Sequence, residues 1–508
     1  MIHNFISGLF TLIYLVGASQ AVAESKLAAY ETHCAACHGS DRAGLMGPTL
    51  LPENLKRLKK SAALDVITNG RVATQMPAFK ALISPETITQ IVDYIYETPA
   101  EMPDWNDAMI RASRRDLATD TVRSEKPKFT ADPWNLFLIV ETGDHHVTLL
   151  DGDKFEPVTR FETHFALHGG PKFTRDGRFV YFASRDGWVS KYDIYNLRYV
   201  SEVRVGINTR NIAVSDNGEY VIAANYWPHS LVLLSGKDLS LIQRIDVTST
   251  AGISSRVSAV YNARPRDSFV VALKDVPEVW EIHYETDKRT TNFKTNRILM
   301  DAILDDFFFS PDYSKVMGAS RPLDSGQRGQ IASGQVIDLD RGKKIADLDL
   351  PGMPHLGSGI SWNYQDRPIM ATPNLRTAEV SVIDMQNWQT IKRIDTLGSG
   401  FFMRSHENTP YAWVDVFFGP NKDKVHIIDK KTLEIVNTLQ PVPGKTAAHV
   451  EFTKDGLFAL LSIMEQDDGA IIVYDAATFE EVKRIPMSRP VGKYNVYNKT
   501  HLSSGTSH

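Results

Sequence analysis

The stretch KFTRDGRFVY, residues 172–181, contains a short β-forming segment, an Asp-Gly turn and a second β-forming segment. An Asp-Gly or Asn-Gly pair between two β-forming segments is typical of a tight β-hairpin, because glycine accepts the backbone angles of such a turn. The same unit returns as AVSDNGEYVI at 213–222 and as EFTKDGLFAL at 451–460. The repetition predicts that most of the chain is built from one structural unit used several times.

A further strand that ends near an aspartate also recurs, as VSKYDI from Val189, VSVIDM from Val380, VHIIDK from Val425 and IIVYDA from Ile471. The repeat period of about 40–45 residues is that of a four-stranded propeller blade, whereas the alternative, a β-sandwich, does not explain it. Eight blades are predicted, starting near residues 135, 169, 209, 256, 305, 359, 400 and 447. We therefore expect an all-β eight-bladed propeller over residues 133–508, with a central channel and with loops on one face that can hold a large planar ligand.

Both cysteines of the chain lie in CAACH, residues 34–38, a pattern typical of covalent c-type haem attachment. Cys34 and Cys37 have the spacing that adds across the two vinyl groups of one porphyrin, and His38 follows as an axial iron ligand. A redox CxxC motif or half of a zinc site is the alternative. Zinc needs further soft ligands nearby, and a redox motif needs a surrounding βαβ pattern. One covalent haem c is therefore predicted.

Residues 24–100 around this motif are predicted to form a small α-helical domain. Residues 85–97 place isoleucine and valine on one face at helical spacing, and Ser84 before Pro85 suits an N-cap followed by proline at the first helical position. The segment resembles a class I cytochrome c over its whole length. The resemblance implies that Met76 is the second axial ligand and that the carbonyl of Pro48 holds the ring N–H of His38. Met46 and His33 are the rival ligands.

Residues 1–23 are predicted to be a signal peptide, since an apolar block at 5–16 precedes small residues ending in Ala-Val-Ala, although its first four residues contain no lysine or arginine. The block is too short to span a bilayer, so an integral membrane protein is not expected. Covalent haem attachment outside the bacterial cytoplasm agrees with a periplasmic location. Residues 101–132 are predicted to be a linker with a short helix near 107–114. The net charge of −5 without basic runs argues against nucleic-acid binding.

Three segments carry a further resemblance, namely ALHGGPKFTRDGRFVYFASRDGWVSKYDIY at 166–195, NYWPHS at 225–230 and GMPHLGSG at 352–359. A cytochrome c followed by an eight-bladed propeller with these segments resembles the haem d1-containing nitrite reductases and their paralogues. The resemblance implies that His168 is the proximal ligand of a non-covalent haem d1 or dihydro-haem d1. It also implies that His355 matches one of two distal histidines.

The second distal histidine of the nitrite reductases is replaced, because this chain has Met300 between Leu299 and Asp301. Methionine neither holds a proton nor donates a charged hydrogen bond, which argues against nitrite reduction. The tail GKYNVYNKTHLSSGTSH, residues 492–508, resembles paralogues that act late in haem d1 biosynthesis. The resemblance implies a dehydrogenase that converts a propionate of dihydro-haem d1 to an acrylate and passes electrons to haem c. A nitric-oxide-forming nitrite reductase and a non-catalytic haem d1 carrier remain as alternatives.

The reaction implied by the resemblance needs a base and groups that bind carboxylates. His355 or His406 is predicted to be the catalytic base, with Tyr494 and Tyr497 as second choices, and His168, His355 and His406 are expected at matching ends of their blades. Arginines at blade starts or hairpins are the candidate carboxylate ligands: Arg175, Arg185, Arg210 and Arg256. The expected partners are the tetrapyrrole substrate, a nitrite reductase in transient contact, and a periplasmic electron acceptor.

Overall fold

The computed structural model describes residues 26–45, 47–55, 58–70, 76–118, 124–164, 167, 169–284, 293–321 and 333–501. The predicted signal peptide, Met46 and His168 lie outside these residues. The chain divides into two compact units, Met1–Asp104 and Trp105–His508. None of the helices in the described residues has the length and apolar character needed to cross a bilayer.

The first unit is helical, and its hydrophobic core includes Cys34 of the CAACH motif. Its helices are α1 (26–33), α2 (Ala35–His38), α3 (Pro52–Leu55), α4 (Lys60–Asn69) and α5 (Pro85–Tyr96). The hydroxyl of Ser84 caps α5 by accepting a bond from the Thr87 amide at 3.2 Å. Helix α5 buries the predicted face, Ile88, Ile91, Val92 and Ile95. Burying each of these side chains stabilises the fold by about 1.5–3 kcal/mol, and they pack with Tyr30 and Cys34. The all-α cytochrome c prediction is confirmed.

The second unit contains eight antiparallel sheets that form the blades of a propeller, which confirms the second half of the fold prediction. Each predicted blade start lies within three residues of the first strand that begins there. The innermost strands of neighbouring blades contact one another, as β9 and β13 do below, and together they surround the central channel.

The strands are given from the innermost strand outward. Blade 1 contains β33 (Pro490–Asn495), β2 (Leu136–Glu141), β3 (His146–Asp151) and β4 (Glu156–Glu162), and blade 2 contains β5 (Lys172–Phe173), β6 (Phe179–Ala183), β7 (Trp188–Asp193) and β8 (Arg198–Arg204). Blade 3 contains β9 (Asn208–Val214), β10 (Tyr220–Trp227), β11 (Ser230–Ser235) and β12 (Leu241–Asp246). Blade 4 contains β13 (Val257–Ala263), β14 (Ser268–Leu273), β15 (Glu278–His283) and β16 (Thr295–Leu299). Blade 5 contains β17 (Ile303–Phe309), β18 (Lys315–Arg321), β19 (Gly334–Asp338) and β20 (Lys343–Leu348), and blade 6 contains β21 (Ile360–Tyr364), β22 (Arg367–Pro373), β23 (Glu379–Asp384) and β24 (Thr390–Asp395). Blade 7 contains β25 (Met403–Ser405), β26 (Tyr411–Asp415), β27 (Val425–Asp429) and β28 (Ile435–Leu439). Blade 8 contains β29 (Ala447–Phe452), β30 (Phe458–Ile463), β31 (Ala470–Asp475) and β32 (Glu481–Pro486).

The segment before the propeller packs on blade 2. The short helix expected near residues 107–114 is present as α6 (Asp107–Ser113), and β1 (Arg115–Asp116) adds a fifth strand to that blade. Its register pairs Arg115 with Glu202 of β8. This segment therefore covers the exposed outer edge of the blade, where unpaired backbone groups would otherwise face solvent.

Blade 1 differs from the prediction, which begins it near residue 135. Its innermost strand is β33, from the far end of the chain, and Phe137 of β2 pairs with Asn495 of β33. The two ends of the unit are therefore joined by backbone hydrogen bonds, and this closes the ring of blades without a free sheet edge at the channel.

The innermost strands of a propeller run in the same direction, so the channel has an upper end where they begin and a lower end where they finish. Helix α7 (Val496–His501) follows β33 at the lower end. The amide of Asn498 donates to the carbonyl of Phe452, the last residue of β29, at 2.8 Å. Arg264, in the turn after β13, donates to the carbonyl of Lys499 at 3.2 Å. Because these partners belong to blades 8 and 4, α7 lies across the lower end of the channel.

Candidate functional site

The CAACH motif is held in a geometry that suits an attached haem. Cys34 precedes helix α2 and Cys37 lies three residues later, so the two thiols share one side of the helix. Nδ1 of His38 donates to the carbonyl of Pro48 at 2.7 Å, which leaves the lone pair of Nε2 for iron. Burial lowers the pKa of His38 and keeps the ring neutral. A Cβ at Gly47 would lie 2.7 Å from Cε1 of His38, so only glycine fits beside the ring. These residues fit a covalently bound haem.

Met76 is half-buried and packs against the same core cluster as Cys34. Its carbonyl lies 2.9 Å from the position of a Cβ on Gly70, whose φ of 75° also favours glycine, so the backbone of residues 76–78 passes close to the end of α4. The rival His33 has its ring 6.4 Å from that of Phe79. The assignment of Met76 as second axial ligand remains a prediction.

The innermost strands of blades 2 to 5 place charged and aromatic side chains together in the channel. The hydroxyl of Tyr261 donates to Oδ1 of Asp306 at 3.0 Å, and Nη2 of Arg210 lies 3.9 Å from Oδ2 of the same carboxylate. Nζ of Lys172 lies 5.5 Å from the centre of the Tyr261 ring. Burial lowers the pKa of Lys172 to about 8. Side chains from four blades therefore meet at one place in the channel.

Tyr226, at the upper end of β10, is surrounded by positive charge. Arg185, Arg256 and Lys274 lie 5.8, 5.6 and 5.6 Å from the centre of its ring. Burial alone would raise the pKa of this phenol, yet the positive charges of Arg210, Lys274 and Arg185 outweigh burial and lower it. Arginine and lysine concentrated at a half-buried place are suited to bind the carboxylates of a ligand.

Two of these cations already have carboxylate partners. Nε of Arg256 donates to Asp275 at 2.9 Å, and Nζ of Lys274 donates to Asp305 at 2.6 Å. Of the four predicted arginines, Arg185, Arg210 and Arg256 thus lie together at the upper part of the channel. Among the charges that lower the pKa of Tyr226, Arg210 has the largest effect, followed by Lys274 and Arg185.

His355 precedes β21 and therefore lies at the upper end of the channel. Its Nδ1 donates to the carbonyl of Phe401 at 2.7 Å, and the two rings are 4.1 Å apart. A carbonyl only accepts, so Nδ1 carries the hydrogen and Nε2 keeps a lone pair, which no side chain of the described ranges contacts by a hydrogen bond. Burial lowers the pKa of His355, Asp306 opposes this, and Arg210 adds to it. His355 is therefore a neutral ring that can accept a proton.

His449 was not identified from the sequence, yet it lies in the same channel on β29. Its ring contacts those of Phe402 and Tyr494, with centres 4.7 and 5.4 Å away, and its φ of 54° is unusual for a residue other than glycine. Burial lowers its pKa well below 6.5, and Lys493 and Arg404 lower it further. A register comparison between blades could have found this residue, because His449 and Arg210 are each the third residue of an innermost strand.

Further buried cations that were not identified from the sequence lie on β25, β33 and α7. Arg404 on β25 donates to the carbonyl of Met403 at 2.7 Å, and Lys493 on β33 donates to the carbonyl of His449. Burial lowers the pKa of Lys499 on α7 to about 7. They share the region with the carboxylate of Glu451.

Arg175, His406 and Tyr497 do not lie among the channel residues described above. Arg175 lies in the turn after β5, is exposed, and pairs with Asp216 at 3.0 Å. Tyr497 stacks on His501 in α7, with ring centres 4.1 Å apart. All three residues lie at the lower end of the propeller.

The expectation that His406 lies at the same end of its blade as His355 is wrong. The prediction places it at the start of blade 7, but β25 has only three residues, Met403–Ser405, and His406 follows it. Its Nδ1 accepts from the amide of Asn408 at 3.1 Å, in the turn to β26. His406 therefore lies at the opposite end of the channel from His355.

Met300 lies between β16 and β17, at the upper end, and is buried. Its amide donates to the carbonyl of Pro277 at 2.8 Å, and its side chain packs with Ile298 and Leu304. The position that carries a histidine in the resembling nitrite reductases is here part of the apolar core, where a side chain without a titratable group is expected.

Comparisons with known proteins find two family models and several relatives for this chain. The family model described as "Cytochrome D1 heme domain" matches residues 131–499, and the model "Cytochrome C oxidase, cbb3-type, subunit III" matches residues 21–95. Dihydro-heme d1 dehydrogenase of Pseudomonas aeruginosa is 53% identical over 495 residues, which cover 97% of this chain and 98% of that protein. Protein NirF of the same organism is 27% identical over 386 residues, covering 72% and 93%.

One solved structure is also similar along nearly the whole chain. It is described as "Dihydro-heme d1 dehydrogenase NirN in complex with DHE" and is 53% identical in sequence, with a TM-score of 0.88. The match covers 94% of this chain and 100% of that chain.

Proposed function

The chain belongs to the cytochrome D1 heme domain family, and on this premise we propose that it is an oxidoreductase that dehydrogenates dihydro-haem d1 in haem d1 biosynthesis. The observation that carries the proposal is the 53% identity with dihydro-heme d1 dehydrogenase of Pseudomonas aeruginosa over 97% of this chain. The channel supports it, because basic and aromatic side chains from several blades converge on one place in it.

The reaction converts one propionate, –CH2–CH2–COO⁻, to an acrylate, –CH=CH–COO⁻, and releases two electrons and two protons. The substrate therefore needs carboxylate-binding groups and a proton acceptor close together. Arg185 and Arg210 beside Tyr226 are the proposed carboxylate ligands, since guanidinium groups bind carboxylates in a bidentate manner. Lys172 faces the same space through its contact with Tyr261 and adds a third positive charge.

His355 is the proposed proton acceptor. The bond from its Nδ1 to Phe401 leaves Nε2 as the basic atom, and burial keeps the ring neutral before the reaction. His449 is the second candidate, because it also faces the channel as a neutral ring, although the surrounding positive charges make it the weaker base in the absence of substrate. His406 is no longer proposed, since it lies at the other end of the channel.

The residues around CAACH fit a covalent haem that accepts the released electrons one at a time. Cys34 and Cys37 would hold this group, and His38 and Met76 would ligate its iron. The bond from Nδ1 of His38 to the carbonyl of Pro48 holds the ring in one orientation and one tautomer. His168 is proposed as the axial ligand of the substrate iron on the basis of the family resemblance.

The rival functions are less well supported. Nitrite reduction by the resembling enzymes uses a pair of distal histidines, whereas this chain has Met300 packed in an apolar cluster at the second position. A carrier that only delivers haem d1 needs no electron acceptor, whereas the first unit belongs to the cytochrome c type. Delivery of the product to a nitrite reductase in transient contact is compatible with the dehydrogenase.

The location and the downstream partner are also part of the proposal. A c-type haem is attached outside the bacterial cytoplasm, so we place the protein in the periplasm. Re-oxidation of the haem then needs a periplasmic electron acceptor, which takes one electron in each encounter.

The test is anaerobic incubation of the purified protein, with its c haem oxidised, with dihydro-haem d1, followed by extraction and mass analysis of the tetrapyrrole. Nitrite turnover is measured in parallel. A loss of two hydrogens together with reduction of the c haem and little nitrite consumption supports the dehydrogenase. An unchanged tetrapyrrole overturns it in favour of the carrier, and rapid nitric oxide formation overturns it in favour of the nitrite reductase.

A further inference from the structure

Four buried side chains between β25, β29 and α7 each carry one polar atom with no partner among the described residues. The atoms are Nε of Arg404, Nδ1 of His449, Oε2 of Glu451 and Oδ1 of Asn498, and none forms a hydrogen bond within the described part of the chain. The four residues are only 3, 2, 0 and 0% exposed. Buried polar atoms of this kind are rare in native proteins, so a group of four needs a physical explanation.

These four residues belong to one region between β25, β29 and α7. Nδ2 of Asn498 donates to Oε1 of Glu451 at 3.0 Å and to the carbonyl of Phe452 at 2.8 Å. His449 and Glu451 lie two residues apart on β29, where the pairing with β30 is interrupted by a bulge. The charge of Glu451 acts on both Arg404 and Lys499. The region therefore extends from the ring of His449 to the helix that crosses the lower end.

The chemistry of the four atoms decides what can satisfy them. Nε of Arg404 only donates, whereas the oxygens of Glu451 and Asn498 accept. A ligand carboxylate can satisfy the arginine but not the two oxygens, because it has no hydrogen to donate. Water both donates and accepts, and a buried water typically makes about three hydrogen bonds to such groups. Leaving these atoms unsatisfied would cost about 1–3 kcal/mol for each atom.

We infer that buried waters bridge Arg404, His449, Glu451 and Asn498, and that this chain of polar groups conducts the protons released by the dehydrogenation from the channel towards helix α7. The inference rests on the proposed function, since it concerns the fate of the two protons. Each proton leaves a C–H bond of the propionate for His355, or for His449 as the second candidate. It then passes through water to Glu451 and reaches solvent at the lower end. The histidine returns to its neutral form when it gives up this proton, and the covalent haem would take the two electrons, one at a time, for transfer to the external acceptor.

Two further observations support this direction. Helix α7 lies across the lower end, so its polar groups stand between the channel and solvent there. Burial lowers the pKa of Lys499 to about 7, so this amine beside Glu451 can gain and lose a proton near neutral pH.

The first experiment uses the full-length protein with its c haem and compares wild type with Glu451→Gln. Glutamine keeps the shape and the bond to Asn498 but cannot carry a proton. Haem c reduction is followed by stopped flow after mixing with dihydro-haem d1 without oxygen, and proton release is followed with an indicator dye in weak buffer. We expect both rates to fall by about tenfold or more, with a changed solvent deuterium isotope effect and an unchanged tetrapyrrole affinity. The wild-type rate and isotope effect in this variant would overturn the inference.

Glu281→Gln is the matched control. Glu281 is also a buried glutamate, but it lies on β15, away from the channel, and accepts hydrogen bonds from Arg266 and from Ser268 of β14. Its variant should lose thermal stability and keep the wild-type isotope effect. Equal effects in both variants would attribute the result to a general loss of a buried carboxylate and overturn the inference. Absence of dehydrogenation in wild type would instead remove the proposed function.

A second readout does not depend on activity. A high-resolution crystal structure of the c haem protein should show ordered waters within hydrogen-bond distance of Oε2 of Glu451 and Nε of Arg404. In Asn498→Leu the apolar side chain should displace at least one of them. Direct bonding of these atoms to other protein groups, with no water between, would overturn the inference.

Discussion

The carbonyl of Phe401 accepts a 2.7 Å hydrogen bond from Nδ1 of His355, so the only ring nitrogen of His355 that can take a proton is Nε2. The bond joins the loop before blade 6 to the loop before blade 7, and the two rings pack 4.1 Å apart. The tautomer is therefore determined by a neighbouring blade and does not depend on the ligand.

Replacing His355 with glutamine should lower the rate of dehydrogenation by a factor of about 10²–10⁴, the usual contribution of a general base. Glutamine occupies a similar volume but cannot accept the proton. The rate of haem c reduction in a single turnover measures this effect, and tetrapyrrole binding is titrated separately. His406→Gln, at the other end of the channel, should leave the rate unchanged. Wild-type activity in the His355 variant would contradict the role of His355 as the base. A loss of activity in the His406 variant would favour His406 instead.

Gly47→Ala should reduce the amount of correctly ligated haem c. An added Cβ would lie 2.7 Å from Cε1 and 2.8 Å from Nδ1 of His38, so the ring would move away from the carbonyl of Pro48. We expect a steric cost of about 1–3 kcal/mol and altered absorption bands of the c haem. The ratio of haem absorbance to protein measures incorporation. Ser61→Ala, on the exposed face of α4, should match wild type. A normal spectrum in the Gly47 variant would contradict the role of this glycine.

The affinity for the tetrapyrrole should decrease above pH 8. Burial lowers the pKa of Lys172 to about 8 in the free protein, and a bound carboxylate favours the charged amine, so binding takes up a proton. The affinity is therefore constant with respect to this group below pH 8 and falls by up to tenfold per pH unit above it. Binding titrations between pH 6 and 9.5 measure the slope. Lys172→Gln should bind more weakly at pH 7 and lose this part of the pH dependence; an unchanged slope would exclude Lys172 from the site.

Local patterns explain which parts of the structure could be predicted from the sequence. The hairpin at 172–181 contains its own turn signal, and CAACH contains all the groups that attach the haem, so both could be recognised without knowing the fold. His449 could not be recognised in this way, because its importance depends on Phe402, Tyr494 and Arg404, which come from other strands. The sequence prediction placed His406 at the wrong end of blade 7, because β25 ends at Ser405 after only three residues and His406 follows it.

The closure of blade 1 by β33 was also missed, because its partners Phe137 and Asn495 lie at opposite ends of the propeller sequence. No local signal connects such segments, and the pairing is a consequence of the ring geometry. It leads to a prediction about two truncated proteins.

A chain that stops after Asn495 keeps β33 and loses α7, whereas a chain that stops after Arg489 loses both. The first should fold with a lower melting temperature, because it loses the buried side chain of Val496, worth about 1.5–3 kcal/mol, and the bonds from Arg264 to α7. The second should not yield a stable propeller, since β2 would present an unpaired edge to the channel along its whole length. Thermal unfolding followed by circular dichroism compares the two with the full chain. A stable propeller in the shorter protein would show that the ring does not depend on β33 for its closure.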